Sequence, residues 1–311
     1  MMMLKLNQQA TRSEQDPTHQ AANRKKANQD NTTRLNNANK QVLALWRDVD
    51  SKKTVRKQVV NETLDFYVYD LTPNDLERLS LEIESIINSE METEQLESPF
   101  NWYYSQYVEQ ATRGGVIQEN SWIEVLLAGL VFATIANAVL LSSVSYQTFL
   151  ISVIEDNYRL LKNLSATTSR QVFDVINRGM AAGLGKAAIQ RQITNRFQVA
   201  KSSSRRIVNT EINKAYNNAR MNTVEIYRQF GAPLGVQHLS ALLTTTRKNH
   251  AARHGKGYTP EQQRQWWDTS TNRINCHCST RAIVLNKDGT IEDKDAQDKV
   301  IKRGKDWFKS N

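Results

Sequence analysis

Apolar residues recur at helical intervals along most of this chain. Leu76, Leu79, Ile83, Ile86 and Ile87 fall three and four residues apart, which predicts an amphipathic helix. Thr72 as N-cap, Pro73 at the first helical position and Asp75 in the first turn mark its start, and it frays by about Met91. From Ser169 the period returns at Val172, Phe173 and Ile176, and breaks at Gly179, Gly183 and Gly185. Ile189, Ile193 and Phe197 mark the next helix. The longest helix is predicted over residues 204–230, with Ser202, Ser203 and Ser204 as its cap region. Val208, Ile212, Ala215, Ala219, Val224, Ile226 and Phe230 lie near one stripe of it, and Gly231 is the stop. After Pro233 the period changes: residues 236–243 read as a short strand, and residues 281–285 as a second one before a turn at Asp288 and Gly289. The expected fold class is mainly α (α+β), a helical body with a small C-terminal β-containing module.

Two stretches lack a clear period. In residues 7–40 the only large aliphatic residue is Leu35, amid Asn, Gln, Thr, Lys and Arg. Such a composition does not repay the entropy of ordering, so residues 1–40 are expected to form a disordered basic arm, with order beginning near residues 42–46. Residues 125–154 carry no charged side chain. The apolar run at 125–141 is at the short limit for a membrane span and lacks flanking Lys/Arg, so a buried helix or helix pair is expected and no stable membrane anchoring. Pro99 opens an aromatic cluster of Phe100, Trp102, Tyr103, Tyr104 and Tyr107, read as helix packing because its surroundings are acidic. The domain plan is thus a basic arm at 1–40 and a helical N-terminal region at 41–165, acidic over 61–125 with apolar core helices over 122–154. A third domain covers 166–285, and 286–311 is a charged tail.

Charge is polarised in blocks: +7 over residues 1–60, −12 over 61–125, +13 over 126–285 and +1 over 286–311. A +13 block suits an anionic partner such as double-stranded DNA, and the acidic block a basic protein surface. Arg205, Arg206, Lys214, Arg220 and Arg228 on the long helix are the candidate phosphate contacts. They would neutralise the backbone without reading bases. The opening residues have no apolar h-region, so no signal peptide is expected. The run from Gly183 to Lys186 is not a P-loop, because Met180 and Ala187 stand where that motif needs Gly and Ser/Thr.

Chemistry-bearing residues concentrate near the C-terminus. His250, His254, Cys276, His277 and Cys278 fall within 29 residues and include both cysteines of the chain. His250 and His254 are spaced to share a helix face, and Cys276 and Cys278 to share one side of an extended segment. Two His and two Cys make a tetrahedral zinc set, and with all four positions protein-filled the metal would be structural. Ala251 stands where a zinc protease carries its general-base Glu, which excludes that class. The alternative for both cysteines is small buried hydrophobes.

Residues 170–285 together resemble the phage Mu F-like minor head protein family, also called the phage head morphogenesis family. The resemblance is carried by the run 170–179, by Ile189, Ile193 and Phe197, and by Arg206 to Glu211 followed by Ala215, Tyr216, Asn217, Ala219 and Arg220. It continues in Arg247, Lys248, Asn249 and His250, and ends in Asn275, Cys276, His277 and Cys278. Weaker similarity begins near Pro99, so about half the chain is covered. The family pattern has Arg where this chain has Asn209 and His277, and Asp-Gly where it has His254 and Gly255. The resemblance implies a non-enzymatic minor capsid protein of a tailed phage. It would act beside the portal protein, with capsid and scaffold proteins, in head assembly and DNA packaging or delivery, and it would reside in the virion. The competing readings are a metal-dependent nuclease built on the His/Cys cluster, and a membrane-active ejection protein resting on residues 125–141.

Overall fold

The computed structural model describes residues 16–52, 55–61, 64–92, 102–128, 132–269 and 271–310. Its elements, in chain order, are α1 (Ala21–Lys52), β1 (Val55–Asn61), β2 (Leu64–Tyr69), α2 (Pro73–Met91), a π-turn (Tyr104–Val108), α3 (Glu109–Leu127), α4 (Asn137–Ser142), α5 (Val144–Ala181), α6 (Lys186–Gln229), β3 (Leu234–Leu239), α7 (Lys248–Ala251), β4 (Gly257–Tyr258), α8 (Pro260–Asp268), β5 (Ser279–Val284) and α9 (Lys294–Ser310). The expected class is met: helices dominate, and a small sheet stands near the C-terminus. Two compact units divide the chain, one of Met1–Lys25, Tyr103–Val153 and Val208–Asn311, the other of Lys26–Trp102 and Ile154–Ile207.

The second unit holds the N-terminal helix and the acidic helix. Residues 21–40 are not a disordered arm but part of α1, and residues 1–15 lie outside the described residues. The buried positions of α1 in this unit are Ala27, Asn31, Leu35, Ala38, Val42 and Trp46, spaced three or four apart. Its buried stripe is therefore periodic, and up to residue 40 only Leu35 in it is a large apolar side chain, which an apolar count overlooks. Arg34 anchors the helix laterally: its Nη1 donates to the Glu90 carbonyl and to Glu92 Oε1, each at 2.9 Å, and its guanidinium lies 3.9 Å over the Trp102 ring. Helix α2 starts as its sequence dictates. Thr72 and Asp75 form a reciprocal capping box with Pro73 following, and Leu79, Ile83, Ile87 and Met91 are buried.

The antiparallel hairpin β1–β2 has no counterpart among the expected elements. It seats on the turn between α5 and α6, where Tyr67 N donates to the Gly183 carbonyl at 3.0 Å and Tyr69 Oη to the Leu184 carbonyl at 2.8 Å. Gly183 adopts φ +64° directly against the Phe66 ring. It thus meets two demands that only glycine satisfies cheaply, a left-handed backbone and room for a ring. The break expected at these glycines is present. The cap expected at Ser202–Ser204 is not: α6 runs unbroken from Lys186, and Ser202 donates back to the Gln198 carbonyl at 3.2 Å. Serine tolerates a helix interior by this i−4 bond.

The first unit is built on α3, the second half of α6 and the C-terminal module. Ile123 and Leu127 from α3, Met221, Val224 and Tyr227 from α6, Leu234 and Val236 from β3, Ala282 from β5 and Trp267 from α8 form one core with Cys276 and Cys278. Gly115 lets α3 and α6 approach so closely that a Cβ there would stand 2.5 Å from the Tyr216 carbonyl oxygen. The sheet is antiparallel, in the order β4-β3-β5, with Val236 opposite both Tyr258 and Ala282. Gly231, at φ +88°, stops α6 as expected. The strand predicted at 236–243 is shifted to Leu234–Leu239, and the one at 281–285 to Ser279–Val284.

The uncharged stretch 125–154 is not a buried helix pair. Helix α3 ends at Leu127, residues 129–131 lie outside the described residues, and only α4 and the start of α5 follow. A polar network prevents continuation: Tyr227 Oη accepts from Ile135 N and donates to Asn120 Oδ1, both at 2.8 Å, while Asn120 Nδ2 donates to the Ile135 carbonyl at 2.8 Å. Leu140 and Tyr146 are buried, but Val139, Val144 and Ile151 are exposed. No helix among the described residues is long and apolar enough to cross a membrane. Of the aromatic cluster, Trp102, Tyr103, Tyr104 and Tyr107 are buried; Pro99 and Phe100 lie outside the described residues.

A buried ion pair joins these parts. Arg220 Nε on α6 donates to Glu119 Oε2 on α3, and Glu119 Oε1 accepts from Ala282 N on β5. Arg220 Nη1 also donates to Tyr216 Oη at 3.0 Å. Burial pushes the Glu119 carboxyl upward, and Arg220 and the Ala282 N–H oppose that push. Arg220→Met is expected to cost about 3–5 kcal/mol by leaving a buried carboxylate uncompensated, whereas Glu119→Leu with Arg220→Met should cost less than either single change. Urea unfolding of the three variants measures this, and equal, additive losses would show that the two charges are not coupled.

Candidate metal centre

The Cys276–Cys278 segment lies just ahead of β5 and is held from the side by an asparagine ladder on α6. Asn209 Nδ2 donates to Asn275 Oδ1 at 2.9 Å, Asn213 Nδ2 to the Cys276 carbonyl at 2.7 Å, and Asn217 Nδ2 to the Cys278 carbonyl at 3.0 Å. Thr210 Oγ1 accepts from Asn275 N at 2.9 Å, and Ser279 Oγ donates to Asn217 Oδ1 at 2.8 Å. Asparagines at i, i+4 and i+8 stack along one face of a helix and satisfy the backbone of an irregular segment that no strand pairs. The ladder was missed as a functional element, although its four-residue spacing is legible in the sequence.

Held this way, both thiols turn inward and His277 is left half-buried on the other side. His250 Nδ1 stands 3.4 Å from Cys276 Sγ and 3.4 Å from Cys278 Sγ. The three ligand atoms lie within 4.8 Å of one another and all three residues are buried. A tetrahedral zinc with ordinary bond lengths separates its N and S ligands by about 3.5 to 3.8 Å, so this His/Cys group fits a thiophilic metal. The contact between the cysteines and His250 holds the Cys276 thiol well below its ordinary range, while the same sulfur contact and burial push Cys278 up. One thiolate therefore forms well ahead of the other.

His254 does not join this group. Helix α7 stops at Ala251, and the next bonds are i→i−3: Arg253 N to the His250 carbonyl at 3.1 Å and His254 N to the Ala251 carbonyl at 3.0 Å. Such tightening removes the face-sharing that four-residue spacing gives in an α-helix. His254 Nδ1 instead accepts from Ser240 N at 3.0 Å. Two neighbours of the centre were not expected: Ser240, whose Oγ is 3.6 Å from Cys278 Sγ, and His238, which is buried on β3 with Gln263 Nε2 3.1 Å from its Nδ1. The Trp266 indole meets both His238 and His250 edge-on, at centroid distances of 5.3 and 4.7 Å.

The five candidate phosphate contacts separate. Arg205 and Arg206 are exposed on α6. Lys214 pairs with Glu211 at 3.6 Å, and Arg228 Nη1 meets both oxygens of Glu261 at 3.0 Å. Arg220 is buried against Glu119 and is not available to a phosphate. Position on a basic helix does not report which face a cation occupies.

These features define a helical protein with a C-terminal module able to hold a metal. Residues 170–281 match the family described as Phage Mu protein F like protein, a span of just over a third of the chain that contains His250, the cysteines and the asparagine ladder. That region is similar to the phage Mu F-like family. No curated protein and no solved structure matches the chain.

Burial lowers the pKa of His254 from 6.5 to about 4, with Arg303 and Arg281 adding to the shift. The folded-state value is depressed, so the stability carried by the neutral ring is complete above pH 6.5 and is lost as pH falls from 6.5 toward about 4. The shift corresponds to about 3 kcal/mol. His254→Gln should flatten the fall in urea midpoint between pH 7 and 4.5; a slope equal to wild type would show that His254 does not carry it.

Proposed function

We propose that this protein is a minor head protein of a tailed phage, acting near the portal in head assembly and DNA packaging or delivery, with a structural zinc and sequence-independent DNA contact. The observation that carries this reading is the family match over residues 170–281, which spans the metal module and much of the basic block. A structural role for zinc is favoured over a nuclease by the burial of all three ligands, since a catalytic metal needs a position open to substrate. The nearby acids are also engaged elsewhere: Glu261 with Arg228, and Asp268 with Arg273 at 2.8 Å. Zinc would be held by His250, Cys276 and Cys278, where it supplies folding free energy and no reaction step.

Sequence-independent DNA contact is proposed on the first half of α6. Residues 175–210 contain seven Lys/Arg and no acid. Arg191, Lys201 and Arg205 have no ion-pair or hydrogen-bond partner among the described residues. Helical geometry places these three within an arc of about 80° and over about 21 Å, away from the buried Ile189, Ile193, Phe197 and Ala200. Unpaired cations in such a row neutralise phosphates without reading sequence.

Quantitative mass spectrometry of nuclease-treated particles and of empty heads tests the assembly role. A few copies per shell in both is the expected result, and absence from both overturns it. For DNA, replacing Arg191, Lys201 and Arg205 with Ala should reduce the slope of log affinity against log salt by about 3 on duplexes of unrelated sequence. An unchanged slope would remove these residues from the contact.

A further inference from the structure

The centre described above brings three ligand atoms together, and a closed tetrahedral zinc site takes four. Resting on the zinc reading, the question is which group supplies the fourth. Two further histidines, His238 and His254, are buried nearby, and each has an Nε2 without a hydrogen-bond partner.

Position separates them. Side chains alternate along an extended chain, so Val236, His238 and Ser240 share one face of β3 and its continuation. That face looks onto the sulfur pair: Val236 packs in the same core as Cys276 and Cys278, and Ser240 Oγ stands 3.6 Å from Cys278 Sγ. Trp266 bridges His238 and His250 by touching both rings edge-on. His254 looks the other way. Its ring packs against α9, where a Cβ on Gly304 would lie 3.6 Å from His254 Cδ2, and its Nδ1 is taken by the Ser240 N–H at 3.0 Å.

We propose that His238 is the fourth ligand, closing an N2S2 site with His250, Cys276 and Cys278, and that Gln263 is the outer partner that orients its ring. The His238 nitrogens lie outside the 4.8 Å group, so ligation requires rotation of the side chain toward the sulfurs. Metal on Nε2 places the ring proton on Nδ1, which then donates to the carboxamide oxygen of Gln263. Gln263 must turn its amide over for this, and its present contact with Arg253 Nη2 at 3.2 Å is given up. Arg253 remains seated on the Tyr258 and Trp266 rings, at 3.7 and 4.3 Å. Outer partners of this kind fix the tautomer and orientation of a ligating imidazole.

Cobalt(II) titration of the full chain reads the ligand set through sulfur-to-cobalt charge transfer. His238→Cys should raise that intensity by about half, three thiolates in place of two, while His254→Cys leaves it unchanged. An unchanged His238→Cys spectrum, or an increase in His254→Cys, overturns the assignment. Zinc X-ray absorption on wild type and His254→Gln covers the case in which the cysteine variant fails to fold. Two imidazoles and two sulfurs in both are expected, and a single imidazole in wild type gives the position to Ser240 or solvent. Gln263→Ala should weaken zinc binding by about 10- to 100-fold with the cobalt spectrum still tetrahedral. If wild type takes up neither metal, the zinc reading itself fails, which is distinct from a metal-loaded protein that ignores His238.

Discussion

The contact between Arg220, Glu119 and the Ala282 N–H decides where the C-terminal module sits. It joins α6, α3 and strand β5 through one carboxylate. Trp122 reinforces the same junction by donating from Nε1 to the Ala282 carbonyl at 2.8 Å. Once β5 is set, the four residues ahead of it must run past α6, and the face of α6 that carries Arg220 also carries Asn217 and Asn213 one and two turns earlier. The ladder and the ion pair are consecutive parts of one surface. Breaking a buried pair is costly because either partner left alone is a buried charge, so the placement of the cysteines depends on this pair.

A metal at this place would answer a packing problem. Around the centre run long irregular segments, residues 240–247 and 271–278, that contribute few large apolar side chains. Arg247 helps to tie them, donating to the carbonyls of Thr271 and Asn272 at 2.9 and 2.7 Å. Hydrogen bonds of this kind contribute modestly each, whereas metal ligation adds its binding free energy directly to folding. The N-terminal segment is tied into the same network. Arg24 pairs with Asp16 at 3.1 Å and donates to Asn213 Oδ1, and the other end of that amide holds Cys276.

The second unit shows a different economy. The first half of its helix α1 buries Ala27, Leu35, Ala38 and one asparagine, Asn31, whose Nδ2 donates to the Ala27 carbonyl at 3.0 Å. Small side chains such as Ala27 and Ala38 permit close helix approach. The basic half of α6 belongs to this unit and sets an apolar stripe against a face without acids, an arrangement suited to a scaffold that presents charge on a rigid element.

The sequence by itself determined the local matters. Thr72, Pro73 and Asp75 announce a helix start because capping depends on neighbours in the chain. The glycine break after Arg178 and the stop at Gly231 follow from backbone freedom, and the inward turn of Cys276 and Cys278 follows from two-residue alternation. The family resemblance was legible for the same reason, since it rests on short runs. Only the tertiary structure decided which charges are available and which groups meet. Arg205 and Arg220 look alike on one helix, yet one faces solvent and the other is buried against Glu119, a partner about a hundred residues away. His254 satisfied the spacing for a ligand, but a tightened turn and the Ser240 N–H took it elsewhere, while His238, from a strand with no motif, is buried against Trp266, the indole that also meets His250. The order of residues 21–40 is not legible in composition because burial there is conferred by fit between helices, a property of pairs of surfaces that one segment does not contain.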